Sequence, residues 1–259
     1  MILVGTAGFT YPDWRGVFYP RGVAQRKWLE YYAEQFRTVE LNTTFHGLPR
    51  ASTVHGWVAR TPDTFTFAVK ANRALTHDRV PATFAADAAA FGETVQPLAE
   101  AGKLACVLAQ FPNSFHATPE NTEYLTRLRA GLGDLPAVVE FRHTSWATPE
   151  TYGHLRALRL GYVCVDEPRL PGLMPPVVQR TGPVAYVRFH GRNAKHWKSA
   201  GWQRYDYDYT NNELAAWVKP LRALDAGGEL TLAIFNNTPR GQAVGNAQVL
   251  RALLGAKAA

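Results

Sequence analysis

Short apolar runs rich in β-branched residues recur along the chain at 2–7, 38–42, 65–70, 104–110, 137–142, 162–166, 184–190 and 230–236. Each has the length of a buried strand, and most are separated by segments whose apolar positions follow a helical period. In 28–36, Leu29, Tyr32, Ala33 and Phe36 share a helical face, and in 83–101 Phe84, Ala88, Phe91 and Val95 do the same. Thr118 before Pro119 and Glu120 is a helix start, because the threonine hydroxyl caps free amides while proline occupies a position that needs no N–H. Thr148-Pro149-Glu150 repeats that signal, and 211–224 and 242–254 supply the last two helices. Eight strand-like runs alternating with helices predict parallel βα units, and eight is the number that closes a TIM-type (β/α)8 barrel. The pattern weakens after the sixth run, where 168–183 is dense in proline and glycine, so the sixth βα unit is expected to be irregular. An open doubly wound sheet is the competing architecture.

A barrel of this kind gathers its chemistry at the C-terminal ends of the strands. Side chains alternate across a strand, so one parity can be followed through all eight runs. It collects Val4 and Thr6; Glu40 and Asn42; Ala68 and Lys70; Leu108 and Gln110; Val138, Glu140 and Arg142; Cys164 and Asp166; Tyr186, Arg188 and His190; Ile234 and Asn236. Polar groups thus fall at nearly every strand end on one expected inner face. Asn237 adds an amide, although it and Asn236 cannot both face inward without distortion. Burying unpaired charge costs several kcal/mol, so these acids and bases are expected to pair. The bland reading is a salt-bridge network that plugs the barrel. The functional reading assigns acid/base catalysis to Glu140, Glu40, His190 and Asp166, and anion binding to Lys70, Arg142, Arg188 and Arg192. Asn42, Gln110, Asn236 and Asn237 would orient the ligand. Of the other histidines, His46 and His143 follow strands, whereas His55, His77, His116, His154 and His196 read as surface or loop residues.

Composition narrows the class. The chain has 259 residues, 46% hydrophobic and 19% charged, with no linker-like or low-complexity run, which suits one domain over 1–259. No stretch approaches the roughly 20 apolar residues of a membrane span, and MILVGTAGF reads as a first strand rather than a leader, so a cytoplasmic location is expected. Cys106 and Cys164 lie in apolar runs and read as reduced core residues. The net charge of +7 and pI near 9.5 favour an anionic partner, assembled by folding because no Lys/Arg run exceeds two residues. No cofactor is expected. A divalent metal on Glu40, Glu140, Asp166 and His190 competes with the basic residues that already neutralise those acids. In FNNTPRGQAVGNA, Gly241 and Gly245 could admit a phosphate to backbone amides beside Arg240. Aromatic residues crowd the loops, among them Trp14, Trp146, Trp197 and Trp202, and bases stack on such rings.

The segments AGFTYPDWRGVFYP, VELNTTFHGLP, FAVKANRALTH, AQFPNSF, VEFRHTSW, YVRFHGR and FNNTPRGQAVGNA, in that order, resemble the YecE-like "domain of unknown function 72" family. The resemblance runs from Gly5 to about Leu250 and implies a TIM-barrel-like fold without an established reaction. The residues carried over are Tyr11, Asp13, Trp14, Glu40, Asn42, Phe45, Lys70, His77, Gln110, Pro112, Glu140, Arg142, Trp146, Asp166, Arg188, His190, Gly191, Arg192, Asn236, Asn237 and Gly241. Phe9 and His46 depart from the family pattern, where tryptophan and tyrosine are usual. Two functions follow as expectations. The first is an acid/base enzyme, hydrolysis favoured, acting on a phosphate-bearing or other anionic small molecule. The second is a nucleic-acid-binding protein or nuclease with a basic, aromatic groove, with oligomeric state left open.

Overall fold

The computed structural model describes residues 1–199 and 201–255. Eight strands form one sheet: β1 (Ile2–Thr6), β2 (Thr38–Leu41), β3 (Thr66–Lys70), β4 (Leu104–Gln110), β5 (Ala137–Glu140), β6 (Gly161–Asp166), β7 (Val184–Phe189) and β8 (Leu230–Phe235). All neighbours run parallel, in the order β1-β8-β7-β6-β5-β4-β3-β2. Helices alternate with them: α1 (Trp28–Gln35), α2 (Thr43–His46), α3 (Ala51–Ala59), α4 (Phe84–Glu100), α5 (Pro119–Leu132), α6 (Pro149–Ala157), α7 (Asn211–Ala226) and α8 (Gln242–Gly255). This is a TIM-type (β/α)8 barrel, not an open sheet.

The strands are mostly apolar, with polar residues near their C-terminal ends, because helices cover one face and the barrel interior the other. The helix starts obey local chemistry. Thr118 and Thr148 Oγ1 accept from the amides of Asn121 and Thr151 at 3.3 and 3.2 Å, and Thr210 and Glu213 form a reciprocal capping box for α7. No residue pattern announces α3, where Thr53, Val54, Gly56 and Val58 are weak helix formers. Burial of Val54 and Trp57 against the sheet outweighs that preference. Among the described residues no helix joins β6 to β7. The 167–183 segment is instead tied down by Thr181 Oγ1 donating to Leu160 O at 2.6 Å and by Gln179 N donating to Cys164 Sγ at 3.4 Å. The expected irregularity at the sixth unit is therefore present.

The wall closes incompletely between β1 and β2. A single bridge, Ala7 to Glu40, joins them, with Gly8 N donating to Glu40 O at 2.7 Å. Below it the Tyr32 hydroxyl stands in for a ladder, accepting from Thr6 N at 2.9 Å and donating to Thr38 O at 3.2 Å. The strands meet so closely that a Cβ on Gly5 would lie 2.3 Å from Thr38 O. Only glycine fits there.

Parallel register shows which side chains face inward, because paired residues point the same way. Ala7 pairs with Glu40, Glu40 with Ala68, Lys70 with Leu108, Gln110 with Glu140, and Val138 with Gly161. Val163 pairs with Tyr186, Val165 with Arg188, and Arg188 with Ile234. The expected parity holds in β2, β3, β4, β5, β7 and β8. It is reversed in β1, where Gly5 rather than Val4 and Thr6 pairs with Ile234, and in β6, where Val165 rather than Cys164 and Asp166 shares the side of Arg188. Both strands are apolar on both faces, so their polar residues give no reliable orientation.

Candidate active site

Strand alternation drives three carboxylates and three cations toward one end of the barrel. Arg188, on β7, stands at the centre with its side chain 2% exposed. Its Nη2 donates to Glu40 Oε1 and its Nη1 to Glu140 Oε2, both at 2.6 Å. The Tyr186 hydroxyl donates to the other Glu40 oxygen at 2.8 Å. Arg142 Nε lies 2.5 Å from Glu140 Oε1, and its Nη1 donates to Glu167 Oε2 at 3.4 Å. His190 Nε2 meets Glu140 Oε1 at 3.1 Å, and its Nδ1 meets Asn236 Nδ2 at 3.1 Å. An amide N–H can only donate, so those partners assign a neutral imidazole with its proton on Nε2.

Burial and charge together set the protonation states. Burial opposes ionisation of Glu140, but Arg142, Arg188 and His190 reverse that and hold its carboxyl well below the usual range. Burial, then the charge of Arg142, lowers His190 to about 3, leaving it neutral at pH 7. Glu167 differs from its neighbours, since burial raises it to about 7 despite the opposing pull of Arg142. Lys70 is the counterpart on the basic side. Burial, with repulsion from Arg188, lowers its amine to about 8. Lys70 Nζ donates to Gln110 Oε1 at 2.8 Å and lies 4.2 Å from the centre of the Phe45 ring. Among the described residues it has no carboxylate partner.

A cavity of about 310 Å³ opens beside these groups, lined by His77, Gln110, Asn113, Arg142, Leu173, Trp197, Arg204 and Tyr205, with Pro112. A wider cleft of about 700 Å³ at the opposite end, around Arg129, Asp134 and Arg159, contains no buried ionisable group. The mouth is therefore the candidate site.

The structure brings Glu40, Glu140, Arg142, Arg188, His190 and Asn236 into one network, with Lys70 and Gln110 joined beside it. Asn42 follows β2, and its Oδ1 is buried without a hydrogen-bond partner. Several expected site residues belong elsewhere. Asp166 faces the helix layer, where it accepts from Arg192 Nε and Nη2 at 2.8 and 2.6 Å, from Tyr209 at 2.9 Å and from Trp217 Nε1 at 2.7 Å. Arg192, also bound to Glu213 at 3.0 Å, braces that layer. Asn237 turns beneath α8, donating to Tyr207 O and Asn246 Oδ1, both at 2.8 Å. Trp14 and Trp146 are buried; their indoles donate to Thr238 O at 2.8 Å and Phe115 O at 2.6 Å. Neither ring is open to a ligand. Arg240 is committed to Asp206, and its backbone amide donates to Asp13 Oδ2 at 2.7 Å, so this loop is spent on internal contacts. Arg188 Nη1 and Nη2 are likewise taken by Glu140 and Glu40, and its Nε is buried among the described residues without a partner, so it holds the network rather than an incoming anion.

Sequence parity missed Glu167 because it chose Asp166, the adjacent acid of opposite face. It also missed His77, which sits on a π-helical turn at 74–78 and meets the Phe45 ring edge-to-face with centroids 4.8 Å apart. Arg204 and Tyr205 come from a 3₁₀ turn that no local pattern ties to the mouth. The metal set does not converge, since Asp166 faces outward; among the described residues no group of three or more His, Cys, Asp or Glu is arranged to hold an ion. No described helix is long and apolar enough to cross a membrane.

A family model described as "Protein of unknown function DUF72" matches residues 3–259. The UPF0759 protein YunF of Bacillus subtilis (strain 168) is 34% identical over 270 residues, covering 98% of this chain and 95% of YunF. The crystal structure of a DUF72 family protein from Thermotoga maritima aligns with TM-score 0.91 at 38% identity, covering 99% of this chain and all of that one (100%). A DUF72 family protein from Enterococcus faecalis aligns with TM-score 0.89 at 28% identity, covering 100% of this chain and 97% of that one.

Proposed function

The chain belongs to the DUF72 family, and from that premise we propose that it is an enzyme that binds a small anionic substrate at the barrel mouth and moves a proton there. The carrying observation is Lys70, a partly buried amine lowered to about 8, with no carboxylate partner among the described residues, hydrogen-bonded to a residue that lines the cavity. Enzymes use such desolvated amines because both protonation states are accessible near neutral pH. Arg142 and Arg204 supply fixed positive charge to the same cavity. For hydrolysis, the favoured class, Lys70 is the group placed to take a proton from water. Glu140, Glu40 and Arg188 hold the site's shape and field, while Glu167, raised to about 7, is a second group able to exchange a proton. A cavity near 310 Å³ suits a metabolite, at the small end of ligand pockets.

This supports a small molecule over nucleic acid, since three of the four expected stacking rings, Trp14, Trp146 and Trp197, are buried in packing and Trp202 is the one exposed. The test is thermal stabilisation by inorganic phosphate and small carboxylates, alongside oligonucleotide binding over a salt series. Stabilisation that disappears in Arg142→Met supports the proposal. Absence of anion binding, with oligonucleotide affinity falling steeply with salt, overturns it in favour of nucleic acid.

A further inference from the structure

Two lysines lie near strand ends, Lys103 buried and Lys70 half-buried, and they are satisfied very differently. Lys103 Nζ donates to Val58 O at 2.8 Å, Thr61 O at 2.7 Å and Thr61 Oγ1 at 3.3 Å. Those three acceptors match the three protons of an ammonium. Among the described residues Lys70 Nζ has one acceptor, Gln110 Oε1, and the face of Phe45. The nearby carboxylates are already held: Glu40 by Arg188 and Tyr186, and Glu140 by Arg188, Arg142 and His190. Lys103 is a structural cation. Lys70 is an under-solvated amine, partly accessible, one hydrogen bond from an open cavity.

We propose that Lys70 forms an imine with a substrate that carries an aldehyde or ketone beside its anionic group, with Arg142 and Arg204 receiving that group. This rests on the reading of the mouth as a small-anion site. The neutral amine attacks the carbonyl carbon, forming a C–N bond as the carbonyl π pair moves to oxygen. One amine proton passes to that oxygen, and one further proton from solvent lets it leave as water. The product is a protonated imine, and no oxidant or reductant is consumed. The geometry favours nucleophilic use because desolvation with few acceptors makes the uncharged amine available, as in lysines that act through Schiff bases. A lysine lowered to about 8 is uncharged at pH 7 on the order of 100-fold more often than an ordinary lysine.

The experiment is brief exposure of the whole protein to glyoxylate with sodium cyanoborohydride at pH 7, followed by intact mass and peptide mapping. Reduction turns an imine into a stable secondary amine at the residue that formed it. The first adduct is expected at Lys70, at least tenfold faster than at exposed Lys27 or at Lys103, and absent from Lys70→Arg. Labelling of Lys70 no faster than of exposed lysines overturns the imine. Inorganic phosphate in parallel samples separates the two proposals. If phosphate stabilises the wild type but Lys70 stays unlabelled, the imine fails and the anion site stands. If Lys70 is labelled selectively and phosphate neither protects nor stabilises it, the imine stands and the anion site fails.

Discussion

Replacing Arg188 with methionine keeps a linear buried side chain of similar reach and deletes the charge between Glu40 and Glu140. Two charge-assisted hydrogen bonds at 2.6 Å disappear. Each such bond contributes about 1.5–3 kcal/mol, and breaking a buried ion pair from one side costs about 3–5 kcal/mol. The two routes agree. Glu140 retains Arg142 and His190, but Glu40 keeps only the Tyr186 hydroxyl at 2.8 Å, so most of the cost falls on Glu40. Urea unfolding with a slope of about 3 kcal/mol per molar would register roughly 1–1.7 M off the midpoint. The pH dependence gives an independent sign. In the wild type, Glu140 is lowered in the fold and His190 is lowered to about 3. Both lowered groups withdraw stability as pH falls, His190 from about 6.5 downward and Glu140 from about 4.3 downward. In Arg188→Met, Glu140 keeps Arg142 and His190 while the charge opposite Glu40 is gone, so the penalty at pH 7 falls on Glu40. The Glu40→Gln/Arg188→Met protein should recover most of the loss at pH 7. A midpoint shift equivalent to less than about 1 kcal/mol would refute the assigned pairing.

Three further outcomes follow from the same geometry. Lys70→Met should fold and lose about tenfold or more in phosphate affinity by calorimetry, the scale of one charged hydrogen bond; wild-type affinity should fall as pH rises through about 8, a limb the variant lacks. Glu167→Gln should remove a lower limb near pH 7, because the wild-type carboxyl is raised to about 7 and becomes a competing negative charge above it; an unchanged titration argues against Glu167 as a neighbour of the bound anion. Trp146→Ala should cost about 3–5 kcal/mol in denaturation, since the ring stacks 4.3 Å from Phe141 and 5.2 Å from Phe115; its phosphate affinity should be unchanged, and lost affinity in a stable variant would return the indole to the ligand.

Much of this architecture is legible in the sequence, for identifiable reasons. Glu140 and Arg142 announced an inward face because two opposite charges at period two in an apolar run have few other places to go. The same reasoning served Lys70 and Gln110, each ending an otherwise apolar strand. It failed in β6, where Asp166 and Glu167 are adjacent acids and every residue of Gly161–Asp166 is buried, so neither charge nor alternation marked the interior. Trp14 and Trp146 misled for a related reason. A tryptophan after a strand reads alike whether it stacks on a ligand or on Phe141. His77, Arg204 and Tyr205 reach the cavity through irregular turns whose placement depends on tertiary packing rather than local spacing.

The Tyr32 hydroxyl makes the cylinder asymmetric in its mechanics. Around the rest of the wall, neighbouring strands are joined by backbone ladders, whereas β1 and β2 meet through one phenolic oxygen and the single bridge at Ala7 and Glu40. That meridian is where the wall yields first. Glu40 ends the bridge and also holds Arg188, so a small parting of the seam would tug on the ion network at its centre. The structural joint and the electrostatic anchor are one residue. Breathing of the barrel and polarity of its mouth therefore move as a single coordinate.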